Sequence, residues 1–255
     1  NFRTSPFISL IGEGTSANII SHYLKEPEPY INSYVCINPT FSDFVYREFE
    51  SYNLKKFLKE DNTFYLYTNN STSFSLKKQA KIRELQIEIS SLGLNNFNII
   101  NDHIKTPSSI SAVSEAIPRA ISKIFEIYSS ISEDEFRKNI QNSTPRDAIA
   151  YLENKYLEIE FLFGSNLGIR EKDIYAIENI IIEKENGDYL REFGKMIFNL
   201  FPSSPLGEYY IGRYYENRNN IKKALRFYKV GYGKIDPSDP NSDAFYENVL
   251  RLSGQ

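Results

Sequence analysis

The sequence has 255 residues, 41% hydrophobic and 25% charged, an ordinary balance for globular domains that allows one large domain or two small ones. Its 30 lysines and arginines and 33 aspartates and glutamates form no basic stripe, which argues against nucleic acid as a partner. One cysteine excludes an internal disulfide and a cysteine-rich zinc site, and two histidines are too few for a histidine-rich one, so no metal or cofactor is expected.

The first half of the chain alternates short apolar runs with segments of helical periodicity. Continuous apolar runs are typical of strands that are covered on both faces. The predicted strands are residues 7–11, 33–37, 63–68 and 96–100, and the predicted helices are residues 15–25, 43–58, 75–92 and 108–128. Because right-handed crossovers join such runs side by side, we expect one mainly parallel sheet.

The second half has the pattern of helices only. No strand is predicted after residue 131. The predicted helices are residues 145–163, 170–184, 188–200, 205–217, 220–234 and 241–252. The polar stretch 129–143 has the composition of a linker or surface loop. The sequence therefore predicts an α/β domain over residues 1–130 and an all-α extension over residues 131–255.

A strand that ends in a glycine turn and runs directly into a helix lies near the N-terminus. Residues 10–17 read Leu-Ile-Gly-Glu-Gly-Thr-Ser-Ala. This is the context of the nucleophile elbow of α/β-hydrolases, in which a serine stands on a strained turn and the next backbone amide donates to the oxyanion. In this register the oxyanion-type donor is the backbone amide of Thr15.

Over residues 1–128 the chain resembles the esterase family that includes esterase D and the enterochelin esterases. The lead-in Asn-Phe-Arg-Thr-Ser-Pro-Phe at residues 1–7 is similar to the Tyr-Arg-Thr lead-in of that family. Residues 32–41 are similar to its next strand, which ends in Ser-Pro-Ser and here ends in Asn-Pro-Thr. Residues 108–128 resemble its last helix. The resemblance implies the second half of an α/β-hydrolase domain, a partial parallel sheet followed here by a helical-repeat extension.

The resemblance also implies that the catalytic positions are degenerate. The nucleophile position falls on Gly14, the family's preceding histidine on Glu13, and the last glycine of the elbow on Ser16. The loop at residues 69–72, where the catalytic acid is expected, holds no carboxylate. Only His103 stands at the position that the resemblance predicts. A histidine without a nucleophile and an orienting carboxylate cannot catalyse acyl transfer.

Other interpretations of the same residues stay open. The turn at residues 12–14 is also compatible with any α/β domain. Thr15 and Ser16 either cap the helix, a role that Ser and Thr prefer, or supply a shifted nucleophile. His103 is either a residual base or the polar end of a strand, and Asp102 is expected on the opposite face of that strand.

The first strand should need a further partner. In the family the elbow strand is central, and without neighbours on both sides a hydrophobic strand would be left unpaired. We therefore expect an N-terminal half or a second chain to complete the sheet beside residues 7–11.

No stretch approaches the roughly 20 apolar residues of a membrane helix. Members of the resembled family are often exported, which favours the periplasm or cell envelope.

Residues 205–238 fit a tetratricopeptide pattern, which needs small residues where two helices cross. The positions that match are Gly212, Tyr215, Ala224, Tyr228 and Gly231. Glu208 departs at a position often held by tryptophan, and Pro237 falls one residue late. Pro202 lies where an earlier repeat, formed by residues 170–184 and 188–200, would close. A generic helical hairpin is the alternative interpretation.

These observations favour a catalytically inactive esterase-like protein that binds a protein or peptide through its helical tail. The absent nucleophile at Gly14 separates this function from the alternative, a carboxylic ester hydrolase of the same family. A third hypothesis is a helical-repeat module that the α/β part only supports. An assay on a short-chain acyl ester distinguishes the first two.

Overall fold

The structure is a computed structural model that describes residues 6–26, 28–40, 54–60, 62–71, 76–105, 108–164, 168–236, 238 and 242–254. Its contacts divide the chain into two compact units. One unit is formed by Asn1–Glu126 with Leu162–Gly164, and the other by Ile127–Phe161 with Ser165–Gln255. None of the helices in these described ranges is long and apolar enough to cross a membrane.

Four strands form one sheet in the first unit. They are β1 (Ser9–Glu13), β2 (Ser33–Ile37), β3 (Phe64–Ser71) and β4 (Phe97–Ile104), and they lie side by side in that order. Each neighbouring pair is parallel. The predicted parallel sheet is therefore confirmed, with β2 at its predicted bounds. The other three strands begin one or two residues later than predicted and extend further toward their carboxyl ends.

Helices cover the two faces of this sheet unequally. One face is covered by α1 (Thr15–His22), the single-turn 3₁₀ segments Tyr23–Lys25 and Lys55–Lys59, and α2 (Leu76–Ser91). The other face is covered by α3 (Ser109–Ile124), which is followed by the 3₁₀ turn Glu126–Tyr128. The alanines of α3, whose lack of a long side chain allows close packing, are Ala112, Ala116 and Ala120. Most of the helix predicted at residues 43–58 lies outside the described residues.

Within the described chain β1 is an edge strand, because it pairs with β2 alone. The sequence led us to expect a central position for it. Hydrogen bonds of the Ile8 amide to the side chain of Asn32 and of the Gly14 amide to the carbonyl of Ile37, both 2.9 Å, fix β1 at its two ends. The partner expected on its far side stays a prediction.

The second unit contains the remaining described helices. They are α4 (Glu133–Asn139), α5 (Pro145–Phe163), α6 (Glu171–Glu185), α7 (Leu190–Leu200), α8 (Leu206–Asn217), α9 (Ile221–Tyr232) and α10 (Ser242–Ser253). The last six confirm the helices predicted for this half, with bounds within two residues of the prediction. No strand follows β4 among the residues that the structure describes.

The predicted linker at residues 129–143 is wrong in part, because α4 lies within it. Ser132 caps this helix: its hydroxyl accepts from the amide of Glu135 at 3.1 Å, and the carboxylate of Glu135 accepts from the amide of Ser132 at 3.4 Å. This reciprocal capping box stabilises a short helix that polar composition alone made look like a loop.

Candidate functional site

The turn between β1 and α1 consists of one residue, Gly14. It adopts φ 58° and ψ −114°, a conformation that residues with a side chain rarely adopt. Because β1 continues through Glu13, the turn is tighter than the three-residue turn predicted from the sequence. The chain therefore passes from strand to helix at a single residue, in a conformation that favours glycine, and this sharp turn is what the elbow pattern predicts.

The two glycines beside this turn have opposite surroundings. A Cβ on Gly12 would lie 2.6 Å from Cδ1 of Ile20 and 2.8 Å from the carbonyl carbon of Ser16, so glycine is needed there for α1 to pack on β1. A Cβ on Gly14 would meet no atom within 4 Å. Gly14, to which the resemblance assigns the nucleophile position, therefore has room around it but carries no side chain.

Among the described residues, no side chain caps the first backbone amides of α1. The first turn also carries no acidic residue, and both Thr15 and Ser16 are exposed. The prediction that Thr15 or Ser16 caps the helix is wrong, because Gly14 occupies the N-cap position. The backbone amide of Gly14 donates to the carbonyl of Ile37 and is therefore not available to an oxyanion. The backbone amide of Thr15 stays the predicted oxyanion donor.

A pair of asparagines closes the carboxyl ends of β2 and β3. Nδ2 of Asn69 donates to Oδ1 of Asn38 at 3.1 Å, and the backbone amide of Asn38 donates to Oδ1 of Asn69 at 2.6 Å. Both side chains are buried, and Nδ2 of Asn38 also donates to the carbonyl of Ser109 at 3.0 Å. Asn38 has φ 47°, which asparagine tolerates better than most residues.

This pair occupies the place where the resemblance puts a catalytic acid. An amide carries no charge and cannot stabilise an imidazolium as a carboxylate does. Asn69 instead holds the loop that follows β2. The sequence could not reveal this role, because the two asparagines are 31 residues apart and their contact depends on the sheet.

The loop predicted at residues 69–72 is wrong in part. β3 continues through Ser71, which pairs with Ile104, so backbone hydrogen bonds extend past the last apolar residue of the run. Ser71 is buried. Thr72 and the side chain of Asn70 lie outside the described part of the chain.

His103 is the last residue but one of β4, in agreement with its interpretation as the polar end of a strand. The register places it level with Gly14 across the sheet, since Gly12 pairs with Cys36, Cys36 with Thr68, and Thr68 with Asn101. Three strand spacings separate them, roughly 14 Å at about 4.8 Å each. The structure thus places both predicted residues at the carboxyl ends of strands but does not bring them together.

Asp102 is buried on the opposite face of β4 from exposed His103, as predicted. Its carboxylate accepts from the hydroxyl of Tyr67 at 3.1 Å and from Nη1 of Arg119 at 3.3 Å, and Nζ of Lys123 lies 3.6 Å away. Burial, then the charge of Asp102, raises the pKa of Tyr67 well above its usual value. These partners on β3 and α3 hold the carboxylate of Asp102 on the opposite face of β4 from His103, so it cannot orient that histidine.

Cys36 offers no substitute nucleophile. It is fully buried, and its Sγ lies 3.5 Å from the carbonyl oxygen of Ala17. Burial raises the pKa of the thiol to about 12, so the reactive thiolate is not formed at neutral pH.

In the second unit, glycines lie where helices cross. A Cβ on Gly194 in α7 would lie 2.7 Å from the carbonyl oxygen of Gly207 in α8, and a Cβ on Gly207 would lie 3.0 Å from that of Gly194. A Cβ on Gly212 in α8 would lie 2.6 Å from the ring of Tyr228 in α9. The three helices therefore approach as closely as glycine allows.

A surface groove of about 450 Å³ lies between α4 and α6 of this unit. It is an open depression that combines apolar and aromatic side chains with charged ones. The apolar and aromatic residues are Ile131, Phe136, Tyr175 and Ala176, and the charged ones are Lys172, Arg137 and Glu133, the last two of which form an ion pair.

No family model matches the chain, and no curated protein matches it. Two solved structures are similar. The first is an uncharacterised protein from Capnocytophaga ochracea, with a TM-score of 0.74 and 21% identity over 100% of this chain and 70% of that chain. This similarity shows a shared fold.

The second solved structure is an IroE-like serine hydrolase from Shewanella oneidensis. The TM-score is 0.46 and the identity 9%, and the comparison covers 92% of this chain. This chain spans 61% of the length of that hydrolase.

Proposed function

We propose that the first unit is an esterase-like α/β domain without hydrolase activity, and that the protein acts by binding. The observation that carries this proposal is Gly14. It forms the sharp turn between strand and helix where the esterase pattern places its serine, and it has no side chain to attack an acyl carbon.

The other two parts of a catalytic triad support the same conclusion. Asn69 stands in place of the acid and is held by Asn38. His103 lies three strand spacings from Gly14, beyond hydrogen-bond reach of a group at the elbow. Asp102, the neighbouring carboxylate, is engaged by Arg119. A single substitution at the elbow would therefore not restore a triad.

The second unit is proposed as a tetratricopeptide-like repeat that binds a protein or peptide. Support comes from Gly194, Gly207 and Gly212, which allow neighbouring helices to cross closely, and from buried Ala224 and Tyr228. Stacked helical hairpins of this kind present concave surfaces to peptides. The groove between α4 and α6 is a candidate contact surface.

The free edge of β1 is proposed to be completed by a further strand, from a segment outside this sequence or from a second chain. Support comes from its place at the edge of a parallel sheet. Parallel sheets are normally covered by helices on both faces, and a central strand pairs with a neighbouring strand on each side.

An esterase assay tests the first proposal. With p-nitrophenyl acetate as substrate, the unmodified protein should release p-nitrophenol no faster than buffer. The Gly14→Ser variant should also be inactive, because it supplies neither the acid nor a nearby base. The same result is expected for Gly14→Ser combined with Asn69→Asp, because His103 would still lie three strand spacings from residue 14.

Stability measurements serve as the control for that assay. A side chain on Gly14 clashes with nothing but must adopt a positive φ, so Gly14→Ser should cost about 1–3 kcal/mol and remain folded. Turnover by the unmodified protein that His103→Ala abolishes would contradict the proposal and favour a carboxylic ester hydrolase.

A further inference from the structure

One segment of the helical unit carries charged side chains of positive sign only. Residues 217–235 contain six lysines and arginines, and all 33 aspartates and glutamates of the chain lie outside this segment. The chain as a whole has a net charge of −3, so the segment is opposite in sign to the rest of the molecule. The helix α9 forms most of it. Charge of one sign that is concentrated on one element attracts a partner of the opposite sign.

Three of these six cations already have partners within the unit. Two of them form ion pairs with carboxylates, and the third lies over an aromatic ring. These pairs are Lys234 with Glu208, Arg218 with Asp188, and Lys223 with Tyr215. The three cations that remain are Lys222, Arg226 and Lys229.

Lys222, Arg226 and Lys229 form a basic stripe along the exposed face of α9. They are four and three residues apart, and residues at these spacings are neighbours on one face of a helix. The stripe spans roughly 10 Å, at a rise of about 1.5 Å per residue. All three side chains are exposed, and within the described ranges no acidic side chain forms an ion pair with them. The linear sequence shows no such stripe, because the three cations meet only when the helix has formed.

Two exposed aromatic rings lie beside the carboxyl end of the basic stripe. Tyr232 follows Lys229 by three residues and is 40% exposed, and Tyr246 of α10 is 43% exposed. The centres of the two rings are 5.3 Å apart. Tyrosine is enriched in protein–protein interfaces, because its rigid ring offers a large contact area at a low entropic cost. Cations beside a pair of rings therefore fit a polypeptide that carries acidic side chains next to a hydrophobic one.

We propose that the basic stripe of α9, with Tyr232 and Tyr246 beside it, binds a short acidic segment of another protein. This inference rests on the proposed function, the binding of a protein or peptide by the helical unit, and names the chemistry of the partner. The charge of the stripe is complementary to the aspartates and glutamates of such a segment. The two tyrosine rings would contact a hydrophobic residue next to them.

The charge of the whole chain favours a short segment over a long polyanion. A nucleic acid or an anionic membrane extends past the stripe and would also meet the rest of the chain, which holds every acidic residue. A short segment meets only the stripe, because charges further apart than about 8 Å are largely screened at physiological salt. Basic clusters that bind anionic lipids usually hold about four to eight cations, and the stripe holds three.

Fluorescence anisotropy with an acidic peptide tests the basic stripe. The probe is a fluorescein-labelled peptide in which glutamates flank one tyrosine, and it is titrated with the full 255-residue chain. The unmodified protein should bind it with an affinity that falls as salt is added. The triple variant Lys222→Glu, Arg226→Glu and Lys229→Glu should bind it at least about tenfold more weakly, because three attractive contacts become repulsive.

The matched control reverses three exposed cations on other helices of the unit, so that the net charge changes by the same amount. This control is the triple variant Lys138→Glu, Arg146→Glu and Lys172→Glu, on α4, α5 and α6. It should change the affinity by less than about twofold, because exposed charges beyond a Debye length are screened. All six changed side chains are exposed, so both triple variants should keep the helical circular dichroism of the unmodified protein. If the α9 variant unfolds, glutamine at its three positions should still weaken binding by at least about threefold.

Three results would overturn the proposal. The first is that the unmodified protein does not bind the acidic peptide. The second is that the control variant loses as much affinity as the α9 variant. That result would favour the groove between α4 and α6, which Lys172 lines, and would leave peptide binding by the helical unit intact. The third is tighter binding to single-stranded DNA or to vesicles of phosphatidylserine and phosphatidylcholine than to the peptide.

Discussion

Replacing Asp173 with alanine is expected to destabilise the helical unit by about 3–5 kcal/mol, the usual cost of leaving the partners of a buried charge unpaired. Asp173 is fully buried in α6. Its carboxylate accepts from the amide of Ile131 at 2.7 Å, and from the hydroxyl of Tyr156 and Nε of Arg170, both at 3.0 Å. Three donors would lose their acceptor together.

Urea unfolding followed by circular dichroism measures this loss. The matched control is Asp188→Ala, because Asp188 forms an ion pair with Arg218 in which both side chains are at least half exposed. Such surface pairs contribute about 0.2–1 kcal/mol. Equal effects of the two substitutions would show that Asp173 does not hold residues near 131 against α5 and α6.

Replacing Gly194 with alanine is expected to destabilise the protein by about 1–3 kcal/mol, the cost of overpacking a well-packed contact. A loss of stability would point to overpacking, since alanine in a helix is ordinarily more favourable than glycine by about 1 kcal/mol. The added Cβ would lie 2.7 Å from the backbone oxygen of Gly207 and 2.8 Å from a side-chain carbon of Ile211. Because backbone cannot move aside as a side chain can, α7 and α8 would have to separate.

The control for this substitution is Gly233→Ala at the end of α9. Gly233 has φ −65°, and the nearest atoms to an added Cβ are 3.5 Å away. This change should be neutral or stabilise by up to about 1 kcal/mol. If thermal unfolding shows Gly194→Ala to be stabilised as well, the close crossing of α7 and α8 is contradicted.

Much of the fold could be predicted because its signals are local. The apolar run at Ser33–Ile37 gives a fully buried strand with its predicted bounds, and Pro145 starts α5 at its predicted first residue. The ends of the strands were predicted less accurately than their centres. β3 and β4 continue through polar residues such as Asn69 and Asn101, whose backbones still pair between strands. The periodicity of apolar residues depends on which side chains are buried, whereas a strand ends where its backbone hydrogen bonds end.

The candidate site was predicted less completely, because its residues meet only in the folded chain. The glycine turn at Gly14 followed from local sequence. The link between Asn38 and Asn69 depends on neighbouring strands, and so does the contact of Asp102 with Tyr67. Gly14 was recognised as lacking a nucleophile, but its role as the N-cap in place of Thr15 was missed.

The proposed absence of a nucleophile at the turn between β1 and α1 can be tested directly by covalent labelling. The protein is incubated with a fluorophosphonate probe, which modifies activated serines, and its intact mass is then determined. We expect the mass to be unchanged, because Gly14 has no side chain and His103 is too distant to activate Thr15 or Ser16. A single adduct that maps to Thr15 or Ser16, and that is lost in the His103→Ala variant, would contradict this account.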